Sequence, residues 1–138
     1  MAATSAVVES VVIVFVRAMN EWERAAWSAR RSARDTDTPD SYWPGVAAAL
    51  ERLLAEFCTP RERPYGRLGS FQHPPEYDPE LERVVGSRIA GRKAIVDTDR
   101  KVALGGGRRR YTLHRRGDRW LVDNVKQLVG DTWQKATL

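Results

Sequence analysis

Arg108–Val129, RRRYTLHRRGDRWLVDNVKQLV, carries the reading that decides the fold. Two runs of alternating apolar and polar residues flank Gly117 and Asp118, a pair that tolerates the positive φ of a tight hairpin turn. The stretch therefore predicts a β-hairpin with Arg115 opposite Trp120, Leu113 opposite Val122 and Tyr111 opposite Asn124. Directly opposed residues in an antiparallel pair share a face. One face then carries Tyr111, Leu113, Trp120 and Val122 and is expected on the core. The other carries Arg110, Thr112, His114, Leu121, Asp123 and Val125. This second face is neither oily nor fully polar, a mixture that suits a partner, a second subunit or a pocket.

Moving upstream, the period of two persists. Val85, Ser87 and Ile89 alternate with Val84, Gly86 and Arg88, a turn fits Ala90–Arg92, and Ala94, Val96 and Thr98 alternate with Ile95, Asp97 and Asp99. That is a second hairpin, joined to the first by a wide connection over Arg100–Gly107. Downstream, the tail after Gly130 keeps one large anchor, Trp133, and is expected to dock.

Towards the N-terminus the period becomes helical. Val8, Val11, Val12, Phe15, Met19, Trp22 and Ala26 recur at three- and four-residue spacing, predicting an amphipathic helix from about Thr4 to Arg34. Trp27 falls off that stripe and is expected to cover the following loop. Asp35–Ser41, DTDTPDS, reads as a turn, and Asp40 or Ser41 can cap a second helix whose early Pro44 suits a first turn. Val46, Leu50, Leu53, Leu54 and Phe57 repeat the core spacing there, and Pro60 stops the helix near Cys58.

Between helices and strands, Thr59–Glu80 holds five of the seven prolines together with Tyr65, Phe71, His73 and Tyr77. Proline withholds backbone donors and keeps its neighbours extended, which argues against regular helix. A short strand near Leu68–Gln72 is expected within it. Helices first and antiparallel strands afterwards give an α+β fold, a curved sheet wrapped on a long helix, with residues 1–138 forming one domain.

Hydrophobic residues at 42% and charged ones at 30% exclude wholesale disorder. The apolar run Ala6–Ala18 is broken by Glu9, closed by Arg17, preceded by no basic region and shorter than a membrane span, so a cytoplasmic protein without a membrane anchor is expected. A single cysteine, Cys58, cannot form an internal disulfide, which fits a reducing compartment. The net charge of +5 admits nucleic acid, an acidic membrane surface or an acidic protein as partner.

In this order of parts, MNEWE at Met19–Glu23, then IVDTD at Ile95–Asp99, RRYTLHRRGDRWLVDNVK at Arg109–Lys126 and a final DTW at Asp131–Trp133, the chain resembles the immunity proteins of bacterial polymorphic toxin systems. Those proteins have the nuclear transport factor 2-like cone fold. The resemblance implies a small cytoplasmic protein that binds its cognate toxin and blocks it by steric or allosteric occlusion, with no cofactor and no chemistry of its own. The terminal hairpin also occurs in ketosteroid isomerase-like and polyketide cyclase-like enzymes of the same superfamily, which supply the alternative reading. The scaffold further allows a homodimer through the sheet.

Candidate chemistry divides along the same line. His114 and Asp123, with Arg110 nearby, place an imidazole beside a carboxylate as a general base requires, though a cross-strand polar cluster is the commoner explanation. Asp97, Tyr111 and Asn124 line the cone if it is open. The arginines at 108, 109, 110, 115, 116 and 119 suggest phosphate contacts, but no nucleic-acid motif accompanies them and charged strand edges account for them, so nucleic acid is disfavoured. Gly105–Gly107 lacks the Lys-Ser or Lys-Thr of a phosphate loop, and two histidines and one cysteine far apart give no metal-ligand spacing. For a protein interface, aromatic and arginine side chains matter most. Arg61, Arg63, Tyr65, Arg67, Phe71, His73 and Tyr77, on a proline-stiffened frame, together with Arg110, His114 and Asp123 on the hairpin's outer face, are the expected toxin-binding residues.

Overall fold

The computed structural model describes residues 4–61, 71, 73–101, 107–136 and 138. Helix α1 spans Ser5–Ala33, about 43 Å at 1.5 Å per residue. Thr4 caps it, its Oγ1 accepting from the Val7 N–H, and Arg30 and Arg31 in its last turn oppose the negative end of the helix dipole. The predicted stripe is the buried one: Val8, Val12, Phe15, Met19, Trp22 and Ala26 all lie in the core, with Val11 at its margin. Helix α2, Trp43–Phe57, starts just after the predicted caps. Tyr42 takes the cap position without a side-chain hydrogen bond, so neither Asp40 nor Ser41 caps the helix; Asp40 instead gives its carbonyl to the Trp43 N–H. The two helices are tied by the Trp22 indole N–H, which donates to the Val46 carbonyl at 3.0 Å.

Five strands follow: β1 (Glu82–Ala90), β2 (Lys93–Arg100), β3 (Gly107–Arg116), β4 (Arg119–Val129) and β5 (Thr132–Lys135), in one antiparallel sheet in sequence order. Both expected hairpins are present. The β3–β4 and β4–β5 turns put Gly117 and Gly130 at φ +66° and +61°, followed each time by an aspartate with ordinary φ, the pattern of a type II′ turn. The last of these makes the tail after Gly130 a fifth strand, where the sequence suggested only a docked segment.

The register of the deciding hairpin holds from its turn as far as Leu113 opposite Val122 and then shifts. A bulge at Asp123 brings Thr112 opposite Asn124 and Tyr111 opposite Val125, in place of the expected Tyr111–Asn124 pair. The consequence is that Val125, expected on the mixed outer face, turns inward and is 1% exposed. Asn124 moves to the outer face in its place. Tyr111, Leu113, Trp120 and Val122 lie on the core as expected.

The expected strand near Leu68–Gln72 lies outside the described residues except for Phe71, which is not in a strand. On either side of that gap the connection is anchored. Thr59 N–H donates to the Val122 carbonyl beside β4, Cys58 is buried, and Tyr77 plugs the cone.

Candidate functional site

The inner face of β3 reads Arg109, Tyr111, Leu113, and alternation alone puts the arginine inside. Its side chain has no exposure at all. A buried guanidinium persists only with partners, and two carboxylates supply them: Nη2 meets Glu76 Oε1 at 2.9 Å and Nη1 meets Glu82 Oε1 at 3.5 Å. The guanidinium also lies 4.7 Å over the Tyr77 ring. Burial opposes the charge on Arg109, yet Tyr111, Tyr77, Glu82 and Glu76 together raise its pKa. Arg109 therefore stays a cation.

Glu82, at the start of β1, is the hub. Its Oε2 accepts from the Tyr111 hydroxyl at 2.6 Å and from the Thr98 hydroxyl at 2.7 Å. Burial, with Glu82 alongside, pushes the Tyr111 hydroxyl well above its usual range, so it donates and does not ionise. Glu23, fully buried on α1, accepts from the Glu76 and Tyr77 backbone N–H groups at 3.1 and 3.0 Å, and Asn20 donates to the Tyr77 carbonyl at 2.7 Å. These bonds fasten Glu76 and Tyr77 to α1. Phe15 packs edge-on against both Tyr77 and Tyr111, at 5.8 and 6.3 Å between centroids, and Trp120 fills the other end of the core.

Among the described residues, the inner face of the sheet is packed with the protein's own side chains. Of the three residues expected to line an open cone only Tyr111 points inward; Asp97 and Asn124 sit on the outer face. The nearest space is a rim cleft of about 330 Å³ between α1 and β1, lined mainly by Val12, Ile13, Val16, Pro79 and Val84. Glu82 and Thr98 reach it, but they are already bonded to each other. Among the described residues, no three His, Cys, Asp and Glu side chains converge as a metal site would require, and no helix is long and apolar enough to cross a membrane.

The expected contact residues separate into three groups. Phe71 and Tyr77 are core residues, 7% and 0% exposed, because the segment that carries them closes the cone: Phe71 packs on Trp22 at 5.9 Å and Tyr77 on Phe15. In this structure both side chains belong to the scaffold. Arg63, Tyr65 and Arg67 lie outside the described residues. Of the remaining five, Arg61, His73, Arg110 and His114 reach the surface, whereas Asp123 is buried, 9% exposed. His73 stacks on Trp27 at 5.4 Å, which is how Trp27 covers the loop. His114 Nε2 and Arg61 Nη1 flank the Asp123 carboxylate at 3.8 and 3.6 Å, while the Thr59 hydroxyl donates to it at 2.7 Å. Burial pushes the Asp123 carboxyl up, but Thr59, His114, Arg61 and Asn124 outweigh it and hold the pKa below the usual value. The group is a clamp joining the residues after α2 to the β4 bulge. Arg110 makes a two-pronged ion pair with Asp97, at 2.8 and 3.0 Å, and lies 4.3 Å over the Trp133 ring.

A chain with these parts, two helices packed on an open five-stranded antiparallel sheet, has an α+β cone fold. The family model described as NTF2 fold immunity protein matches residues 7–137, and the chain belongs to that family. No curated protein and no solved structure matches it.

Proposed function

We propose that the protein binds a cognate polymorphic toxin and neutralises it by forming a complex, in the bacterial cytoplasm and without catalysis. The observation that supports this is the buried network around Glu82 on the inner side of the sheet. Where an enzyme of this architecture needs a pocket with a free acid or base, Glu82 commits its oxygens to Tyr111, Thr98 and Arg109. Membership of the immunity family points the same way. The outer residues Arg61, His73, Arg110 and His114 are candidates for contact, with the buried Asp123 holding Arg61 and His114 in place.

Co-expression with the product of an adjoining toxin-like reading frame tests the proposal. Growth is expected to be restored and the two chains to co-purify. Unrelieved toxicity, with no complex recovered, would remove it. The enzyme alternative makes a different demand, that a small ligand raise the melting temperature by filling the cleft beside Glu82.

A further inference from the structure

The positive charge of this protein is not spread evenly. Residues 82–138 hold 14 Arg and Lys against 6 Asp and Glu, whereas residues 1–57 hold 6 against 8. The strands therefore carry the whole excess. Both helices pack against the concave face, through Val96, Tyr111, Leu113, Val122 and Val125, so the alternate residues face outward on the convex side.

Two features of that convex face distinguish it from an ordinary solvated sheet. One cross-strand row, Asp97, Arg110, Lys126 and Lys135, runs over four strands with three cations to one carboxylate. Next to it Trp133 is paired with Leu128, half-exposed, and Arg110 reaches across β4 to lie on its ring while Asp97 holds the guanidinium from the other side. Arginine and tryptophan are the residues that dominate interface energetics, and a pair already fixed in one geometry loses little freedom on binding.

We propose that this helix-free face, centred on Trp133, Arg110 and the Lys126–Lys135 pair, is the docking surface for the toxin, and that the toxin meets it with an acidic patch. The inference rests on the immunity reading above. A second copy of the chain fits the face poorly, since a two-fold interface centred on the row would bring two patches of the same net positive charge together. Single-stranded nucleic acid fits it less well than an acidic protein does. Trp133 is the aromatic available for stacking, and its ring is already covered by Arg110.

The test uses the full chain and the purified, catalytically inactivated product of the adjoining toxin reading frame, with association followed over a salt series. Lys126→Glu combined with Lys135→Glu is expected to slow association about tenfold and to flatten its salt dependence. Trp133→Ala is expected to raise Kd roughly 30-fold. Arg52→Glu, on the exposed side of α2, is expected to change neither by more than about twofold. The charge reversals sit on exposed or half-exposed positions, so they remain informative should Trp133→Ala fail to fold. If the wild-type chain binds and the charge reversal leaves its kinetics unchanged, the toxin docks elsewhere: this proposal is overturned and the immunity reading stands. Absence of binding by the wild-type chain overturns both. Two other results also overturn it: a wild-type dimer that the charge reversal dissociates, or salt-sensitive binding of DNA or RNA that the reversal abolishes.

Discussion

Replacing Glu82 by glutamine removes one charge and almost no volume from the centre of the cone, and the structure sets what that costs. Arg109 is fully buried and keeps Glu76 as its remaining carboxylate; the amide oxygen can still accept from the Tyr111 and Thr98 hydroxyls, which already share one oxygen, but the amide NH2 then replaces the carboxylate oxygen facing the guanidinium. Breaking a buried ion pair from one side costs about 3–5 kcal/mol, because the other charge is left uncompensated. With an unfolding entropy near 2.1 cal/mol/K per residue, a chain of 138 residues loses about 3.5 °C per kcal/mol. Glu82→Gln is therefore expected to lower Tm by roughly 10–17 °C. Arg109→Met should cost a similar amount, because it takes the guanidinium from Glu76 and leaves Glu82 with only the longer 3.9 Å pairing to Arg100. The double variant removes both charges and leaves the new amide with two hydroxyl partners, so its cost should stay near that of either single change, giving a coupling of at least about 2 kcal/mol. Urea unfolding of the four proteins measures the cycle. Single-variant losses below about 1 kcal/mol, or losses that simply add, would refute the view that this network holds the interior closed.

Two other predictions address the hairpin. Asp123 has a pKa below its usual value, so the stability it contributes is present at neutral pH and is lost as pH falls through that depressed value. Asp123→Asn is expected to cost about 1 kcal/mol at pH 7, with the gap to wild type closing in urea unfolding as pH falls below the ordinary aspartate range; a gap that stays constant as the pH is lowered contradicts the clamp. At Gly117 a Cβ would meet nothing within 4 Å, so the cost of Gly117→Ala comes from φ +66° alone. A loss of about 1–2 kcal/mol, or roughly 3–7 °C in Tm, is expected, and an unchanged melting curve contradicts the turn assignment.

Periodicity made the two helices, both predicted hairpins and the inner face of β3–β4 legible. A bulge leaves no such trace, because alternation across Leu121–Val125 reads equally well with or without an extra residue. What decides it is tertiary: the Thr59 hydroxyl takes Asp123, and Val125 rather than Asn124 enters the core. The strand β5 did leave a signal, since Gly130–Asp131 repeats the Gly117–Asp118 pair. The buried network was legible in phase, with Arg109 on the same parity as Tyr111 and Leu113, and Glu23 next to the apolar stripe of α1. Charge hid it, because a lone arginine or glutamate is ordinarily on the surface. Phe71 and Tyr77 reverse that error: aromatics in a proline-rich connection look like anchors for a partner until the cone they close is seen.

We propose that this protein acts by occupying a toxin and not by converting anything. Titrating the protein into active cognate toxin, with residual toxin activity read at each ratio, tests it most directly. The account predicts that activity falls linearly and vanishes at a fixed stoichiometric ratio, with a stable complex of that composition on light scattering. Inactivation by a small fraction of an equivalent, continuing with time, would mean turnover and would contradict it.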